Sequence, residues 1–186
     1  MDALNIIYSK IAYFMNSPQF VNMVTNNRFY LILFVVLLMR LKYNTYRSMW
    51  ASALINIPGT FLHELMHFLV GSVFNAKPYN FTVIPRKNSN GDYIMGSVGF
   101  YNIRWYNAIP AAMAPFLLLP IAFYVNRYLL PQLQPSLSNY VLYILLQTIL
   151  IENAIPSGQD FKVASLFVRG IALYVAILVF WLLFFF

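Results

Sequence analysis

Five apolar segments, separated by short polar stretches, constrain this chain more than any other feature of its sequence. Hydrophobic residues make up 61% of the 186 residues, and charged residues make up only 9%. Soluble domains usually contain about 45–50% apolar and about 25% charged residues. Because so apolar a chain cannot cover a water-facing surface with polar groups, we expect an all-α polytopic membrane protein with about five transmembrane helices. The predicted spans are residues 29–39, 50–74, 106–125, 138–155 and 170–186.

Residues 1–28 are predicted to form a separate amphipathic segment ahead of a membrane-embedded domain over residues 29–186. Within residues 1–16, apolar side chains recur at helical spacing on one face. We expect this helix to lie in the membrane interface, and packing against the helix bundle is the alternative. The apolar face consists of Leu4, Ile7, Tyr8, Ile11, Phe14 and Met15.

A β-hairpin is predicted between the second and third spans, at about residues 79–103. Residues 79–84 are strand-like, residues 88–92 form a turn cluster, and residues 93–103 return as a second β-rich stretch. We expect a small re-entrant hairpin, and an irregular loop is the alternative.

The distribution of charge predicts an orientation in the membrane. The net charge is +7, from 12 Lys and Arg against 5 acidic residues, and no basic run or RNA-binding motif is present, so we expect no nucleic-acid partner. With five spans, about twice as many basic residues lie on the side of the N-terminus and hairpin as on the other side. The positive-inside rule therefore predicts that the N-terminus lies in the cytoplasm. We expect a multi-pass protein of a bacterial inner (cytoplasmic) membrane.

The two histidines of the chain lie in a single motif, His63-Glu64-Leu65-Met66-His67. Spacing of i, i+4 places both imidazoles on one face of a helix, where they can bind one Zn²⁺. Glu64 is placed to act as the general base on a zinc-bound water. Two simply hydrogen-bonded histidines are the alternative, but ionisable groups within a span are costly and usually functional.

A catalytic zinc usually has three protein ligands, so a third ligand is needed. Because the chain has no cysteine and no third histidine, that ligand must be a carboxylate. Glu152 and Asp160 are the candidates, and they flank a helix break predicted at Pro156 and Gly158. We favour Asp160, for which an N-terminal helix cap together with Ser157 is the alternative role. Glu152 is the reserve ligand or the partner of a basic residue.

The HExxH motif within a span, the hairpin, and a later Asn-x-x-Pro followed by Asp together resemble the site-2 protease family of intramembrane zinc metalloproteases. The resemblance covers residues 50–169. It departs where the family has Leu-Asp-Gly, because this chain has Gln-Asp-Phe. The resemblance implies that His63, His67 and Asp160 bind zinc, that Glu64 activates water, and that Asn153 assists the substrate or the oxyanion.

The expected function is therefore hydrolysis of peptide bonds in or near transmembrane segments of other membrane proteins, as in regulated intramembrane proteolysis. Zn²⁺ is the expected cofactor, and the bilayer and a membrane-protein substrate are the expected partners. Two alternatives stay open. One is a non-enzymatic membrane interaction or immunity protein with a structural zinc site, and the other is a metal or proton transporter.

Overall fold

The fold is mostly helical, with two short pairs of antiparallel strands, as the sequence predicts. The computed structural model describes residues 3–20, 28–43, 49–87, 93–134 and 137–185. The helices are α1 (Ala3–Met15), α2 (Arg28–Tyr43), α3 (Met49–Val73), α4 (Ala108–Ala112), α5 (Leu118–Tyr124), α6 (Leu137–Glu152), α7 (Gly158–Ser165) and α8 (Val168–Phe185). The strands are β1 (Pro78–Thr82), β2 (Arg86–Lys87), β3 (Tyr93–Ile94) and β4 (Ser97–Phe100).

The chain divides into two compact units, each built from two stretches of sequence. The first unit consists of Met1–Arg47 and Pro120–Glu152, and the second of Ser48–Leu119 and Asn153–Phe186. Within the first unit, α2 packs against α6, and the predicted boundary at residue 28 stays a prediction.

In the first unit, α2 and α6 are joined by apolar packing and by an ion pair. Nζ of Lys42 lies 2.6 Å from Oε2 of Glu152, and both side chains are largely buried. Glu152 therefore has the basic partner that the sequence analysis allowed, and it does not join the histidines. The buried core of this unit contains Val35, Leu130, Tyr140 and Tyr143.

Helix α1 confirms the predicted N-terminal helix. Its apolar face is not covered by the rest of the described chain, because the side chains of Ile7, Ile11 and Phe14 are 54%, 51% and 59% exposed. The placement of α1 in the membrane interface or against the bundle stays a prediction.

One helix, within the second predicted span, is long and apolar enough to cross a membrane. It covers Ser52–Val73 with a mean hydropathy of 1.2. Among the described residues, a second candidate exists only if Gly158–Ser165 and Val168–Phe184, bent by 91° at their junction, count as one broken span. Helices α2 and α6 have 16 residues each, or about 24 Å, against the about 30 Å of a bilayer core. Five spans therefore stay a prediction.

The third predicted span, residues 106–125, is not one continuous helix. It is divided into α4, a 3₁₀ segment at Ala114–Leu117, and α5, followed by a π-helical turn at Val125–Leu129. Pro110, Pro115 and Pro120 each lie in the first turn of one of these pieces. Proline has no N–H to donate and is tolerated in a first turn, so each proline begins a new piece instead of extending the last one.

The predicted hairpin is present as two short ladders. Strand β1 pairs antiparallel with β4, from Pro78 opposite Phe100 to Thr82 opposite Ser97, and β2 pairs with β3. A register shift interrupts the first ladder. The predicted turn at residues 88–92 lies outside the described residues. Strand β1 packs on α3, with the ring of Phe81 centred 5.7 Å from that of Phe61.

Candidate metal centre

The two histidines of α3 lie one turn apart and point their Nε2 atoms at each other, at 3.2 Å. Nδ1 of His63 lies 2.8 Å from the carbonyl oxygen of Asn153, and Nδ1 of His67 lies 2.8 Å from that of Ala111. A carbonyl oxygen only accepts, so each Nδ1 carries a hydrogen and donates it. Both Nε2 atoms are thereby left with lone pairs that face the same space, as in metal-binding histidines.

Asp160 brings a carboxylate to the two Nε2 atoms. Its Oδ1 lies 3.3 Å from Nε2 of His67, and its Oδ2 lies 3.6 Å from Nε2 of His63. One ligand atom from each of the three residues can be chosen so that all lie within 4.8 Å of one another. The structure therefore brings together the three predicted ligands in an arrangement that could bind a metal ion.

Two of the separations between these atoms agree with tetrahedral coordination. Ligand atoms about 2.0–2.1 Å from a tetrahedral zinc lie about 3.3–3.4 Å from one another. The two Nε2 atoms, 3.2 Å apart, and Oδ1 of Asp160, 3.3 Å from Nε2 of His67, have separations close to this value. The 3.6 Å contact to Nε2 of His63 is made by the other carboxylate oxygen, Oδ2. Two imidazole lone pairs and a carboxylate repel one another unless a positive charge lies between them. A bound cation would supply that charge.

Asp160 is also part of a helix cap, so its two predicted roles are compatible. Ser157 is the N-cap of α7, and its hydroxyl accepts from the N–H of Asp160 at 3.2 Å. In return, Oδ2 of Asp160 accepts from the backbone N–H of Ser157 at 2.7 Å. This capping box fixes the first turn of α7 and, with it, the carboxylate that faces the histidines.

Glu64 is buried beside the three candidate metal ligands, His63, His67 and Asp160, but is not one of them. Its side chain is 7% exposed, and the group comprises only the two histidines and Asp160 among the residues that the structure describes. The hairpin backbone lies directly against it, because a methyl group at Gly96 would be 2.9 Å from Oε1 of Glu64 and 2.5 Å from Cγ2 of Thr60. The Glu64 side chain therefore lies between the helix of the two histidines and the hairpin backbone, and its role as a general base stays a prediction.

Asn153 reaches the site through its backbone. Its carbonyl holds the His63 ring, and its side-chain amide packs so closely on Gly59 that a methyl group there would overlap it. Gly59 lies one helical turn before His63. The predicted role of the Asn153 side chain toward substrate stays a prediction.

Sequence reasoning did not find the hydrogen bonds that fix the start of α4, the helix that contains Ala111. Asn107 is fully buried, and its Oδ1 accepts from the N–H of Arg104 at 2.7 Å. Its Nδ2 donates to the carbonyl oxygens of Asn102 and, at 3.3 Å, Phe74. These bonds connect the end of α3, the hairpin and the start of α4, which carries the carbonyl that orients His67. An asparagine near the start of the third predicted span was the only feature of the sequence that could have indicated them.

Comparison with known proteins gives no match, whether to a family model, a curated protein or a solved structure. The resemblance to site-2 proteases therefore depends on the motifs alone, and the functional interpretation depends on the side chains around the two histidines.

Proposed function

We propose that this chain is a membrane-embedded zinc metalloprotease that hydrolyses peptide bonds in or near transmembrane segments of other membrane proteins. The observation that carries the proposal is the convergence of His63, His67 and Asp160, with one ligand atom from each within 4.8 Å of the others, beside the buried carboxylate of Glu64. The three ligands lie on or against an apolar helix long enough to span a bilayer. The resemblance to site-2 proteases agrees with the same four residues.

The number of ligands supports a catalytic site more than a structural one. Structural zinc sites are usually closed by four protein ligands, whereas catalytic sites keep one position open. In the described part of the chain, three ligands converge. A bound Zn²⁺ would act as a Lewis acid toward the substrate carbonyl and lower the pKa of water in the open position.

The residues of the chain have distinct tasks in this proposal. The carbonyls of Asn153 and Ala111 hold the two imidazoles in the tautomer that binds through Nε2. Glu64 accepts a proton from the attacking water and returns it to the amine that leaves. The side-chain amide of Asn153 is proposed to donate to the substrate or to the developing oxyanion.

Membrane embedding is proposed from the exposed surface as well as from α3. The last helix exposes large apolar side chains along its length, among them Leu178 and Phe180 at 55% and 57%. An apolar surface this extensive would be unfavourable in water. A bilayer is the environment that accommodates it, so we propose a multi-pass protein whose substrate also lies in the membrane.

The test is a cleavage assay with the variant Glu64→Gln, which is nearly isosteric but cannot accept the proton. The substrate is a single-span membrane reporter tagged at both ends, with Gly and Pro in its transmembrane segment. Cleavage should fall by about 10²–10⁴-fold, while the variant still binds one zinc.

The matched control is Glu152→Gln, which removes the charge paired with Lys42 in the first unit and should cut the reporter like the wild type. Full activity of Glu64→Gln would contradict the proposal. So would a zinc-loaded wild type that cuts none of a panel of such reporters, because this is the behaviour of an interaction protein with a structural zinc.

A further inference from the structure

The hydroxyl of Ser157 makes a contact that helix capping does not require. Besides accepting from the N–H of Asp160, Oγ of Ser157 donates to Oδ2 of Asp160 at 2.6 Å. Oδ2 therefore receives two hydrogen bonds from one residue, since the backbone N–H of Ser157 also donates to it at 2.7 Å. A carboxylate held by two donors on one oxygen has little freedom to rotate.

We propose that Ser157 is a positioning residue for the metal centre, which sets the orientation of the Asp160 carboxylate. The two donors occupy Oδ2, which lies 3.6 Å from Nε2 of His63, while Oδ1, to which Ser157 does not donate, lies 3.3 Å from Nε2 of His67. Oδ1 is thereby presented to the ion. This inference rests on the proposed metal site and goes beyond it, because it assigns a role to a residue outside the ligand set.

The same contacts couple metal binding to the start of α7. Asp160 is the third residue of this helix, and Ser157 precedes the helix as its N-cap. The bonds that order the first turn are also the bonds that orient the ligand. Partners that orient a metal ligand typically contribute 10–100-fold to metal affinity, so the hydroxyl should contribute a measurable part of the affinity.

The experiment measures the Zn²⁺ affinity of the full chain in nanodiscs by competition with a chromophoric chelator. Ser157→Ala removes the hydroxyl and should weaken zinc binding by about 10-fold or more. Ser157→Thr keeps a hydroxyl and should restore an affinity close to that of the wild type. Ser165→Ala is the matched control, because, among the residues that the structure describes, Oγ of Ser165 donates to the carbonyl of Lys162 in the same helix, and it should bind zinc like the wild type.

A second variant separates positioning from capping. Glycine is nearly as good an N-cap as serine, whereas alanine is a poor one. If Ser157 acts only as a cap, Ser157→Gly should keep the wild-type affinity and only Ser157→Ala should lose it. Positioning predicts that both variants lose affinity to the same extent. It also predicts that the visible absorption spectrum of bound Co²⁺ changes in both, because the carboxylate reorients.

Asp160→Ala distinguishes failure of this inference from failure of the metal site. If Asp160→Ala loses zinc while Ser157→Ala and Ser157→Gly bind like the wild type, the positioning role is wrong and the metal site stands. If Asp160→Ala keeps the wild-type affinity, Asp160 is not a ligand. The inference and the proposed metal site then both fail.

Discussion

The two units of this protein are packed with different kinds of side chain. In the described part of the first unit, the buried apolar residues are mostly large, for example Leu130, Tyr140 and Tyr143. In the described part of the second unit they are mostly alanines, and every described glycine except Gly158 lies where a side chain would overlap a neighbour. The alanines include Ala76, Ala108, Ala111, Ala112 and Ala114.

The difference shows what the metal centre requires. Small residues let backbones approach closely, and the second unit uses this approach to bring carbonyl oxygens to the imidazoles. The carbonyl that orients His67 comes from Ala111, within the alanine-rich helix α4. The carbonyl that orients His63 comes from Asn153, which packs on Gly59. Among its described residues, the first unit has no comparable metal-binding group, and there large side chains fill the core.

The largest effect should follow from removing a ligand in the second unit. His67→Ala removes one of the three proposed protein ligands. Zinc affinity should therefore fall by more than the about 100-fold that is lost when a residue hydrogen-bonded to a metal ligand is replaced. Glu152→Ala removes an acidic residue of the first unit and should leave one zinc per chain. Metal analysis of the purified variants checks this. Equal zinc in the wild type and His67→Ala would contradict the assignment.

A methyl group at Gly96 should damage catalysis more than metal binding. It would meet Oε1 and Cγ of Glu64, both at 2.9 Å, and push the carboxylate away. Because a displacement of about 1 Å can reduce the rate by about 10²-fold, Gly96→Ala should cut the reporter about 100-fold more slowly and still bind zinc.

Gly99→Ala is the control within the same hairpin, since its methyl group would meet only the ring of Tyr79 among the three nearest atoms. Reporter cleavage by Gly96→Ala at the rate of Gly99→Ala would show that the hairpin does not constrain Glu64.

A methyl group at Gly59 tests the close packing behind His63. It would displace the Asn153 amide and, with it, the carbonyl that holds Nδ1 of His63. Zinc affinity should fall by about 10-fold, the lower end of the range measured when groups that hydrogen-bond to metal ligands are removed. Gly158→Ala is the control, because nothing lies within 4 Å of that position. If the two variants bind zinc equally well, close packing is not what orients His63.

The smallest effect is expected in the first unit. The hydroxyl of Tyr143 donates to Oδ1 of Asn126 at 2.6 Å, so Tyr143→Phe should lower the free energy of unfolding by about 1 kcal/mol. Zinc affinity should not change. Denaturation in mild detergent checks this, with Tyr13→Phe as control because Tyr13 is 83% exposed. A loss of zinc in Tyr143→Phe would mean that the two cores are not independent.

The parts of the site that depend on local spacing could be predicted from the sequence. The i, i+4 pair of histidines faces one side of any helix, and elimination of the other acidic residues left Asp160 or Glu152. The helix break at Pro156 and the hairpin were also predictable, because proline, glycine and turn residues act locally.

Contacts between distant segments could not be predicted. The acceptors for the two Nδ1 atoms are backbone carbonyls, which every residue has, so sequence cannot mark Ala111 or Asn153 as their source. Gly59 and Gly96 look like any other glycines until the structure shows what lies against them. The division of residues 106–125 into short pieces was missed because prolines are tolerated within membrane helices, and the sequence does not show whether neighbours compensate for the lost hydrogen bonds.

The most direct test of the metal centre is X-ray absorption at the zinc edge on the purified wild-type protein. The account predicts one zinc per chain with four nitrogen or oxygen ligands at about 2.0–2.1 Å, and the multiple-scattering signal of two imidazoles. Asp160→Ala should lose this signal or show an altered first shell. A protein that binds no zinc, or binds it with fewer than two imidazoles, would contradict the central claim that His63, His67 and Asp160 form a catalytic metal site.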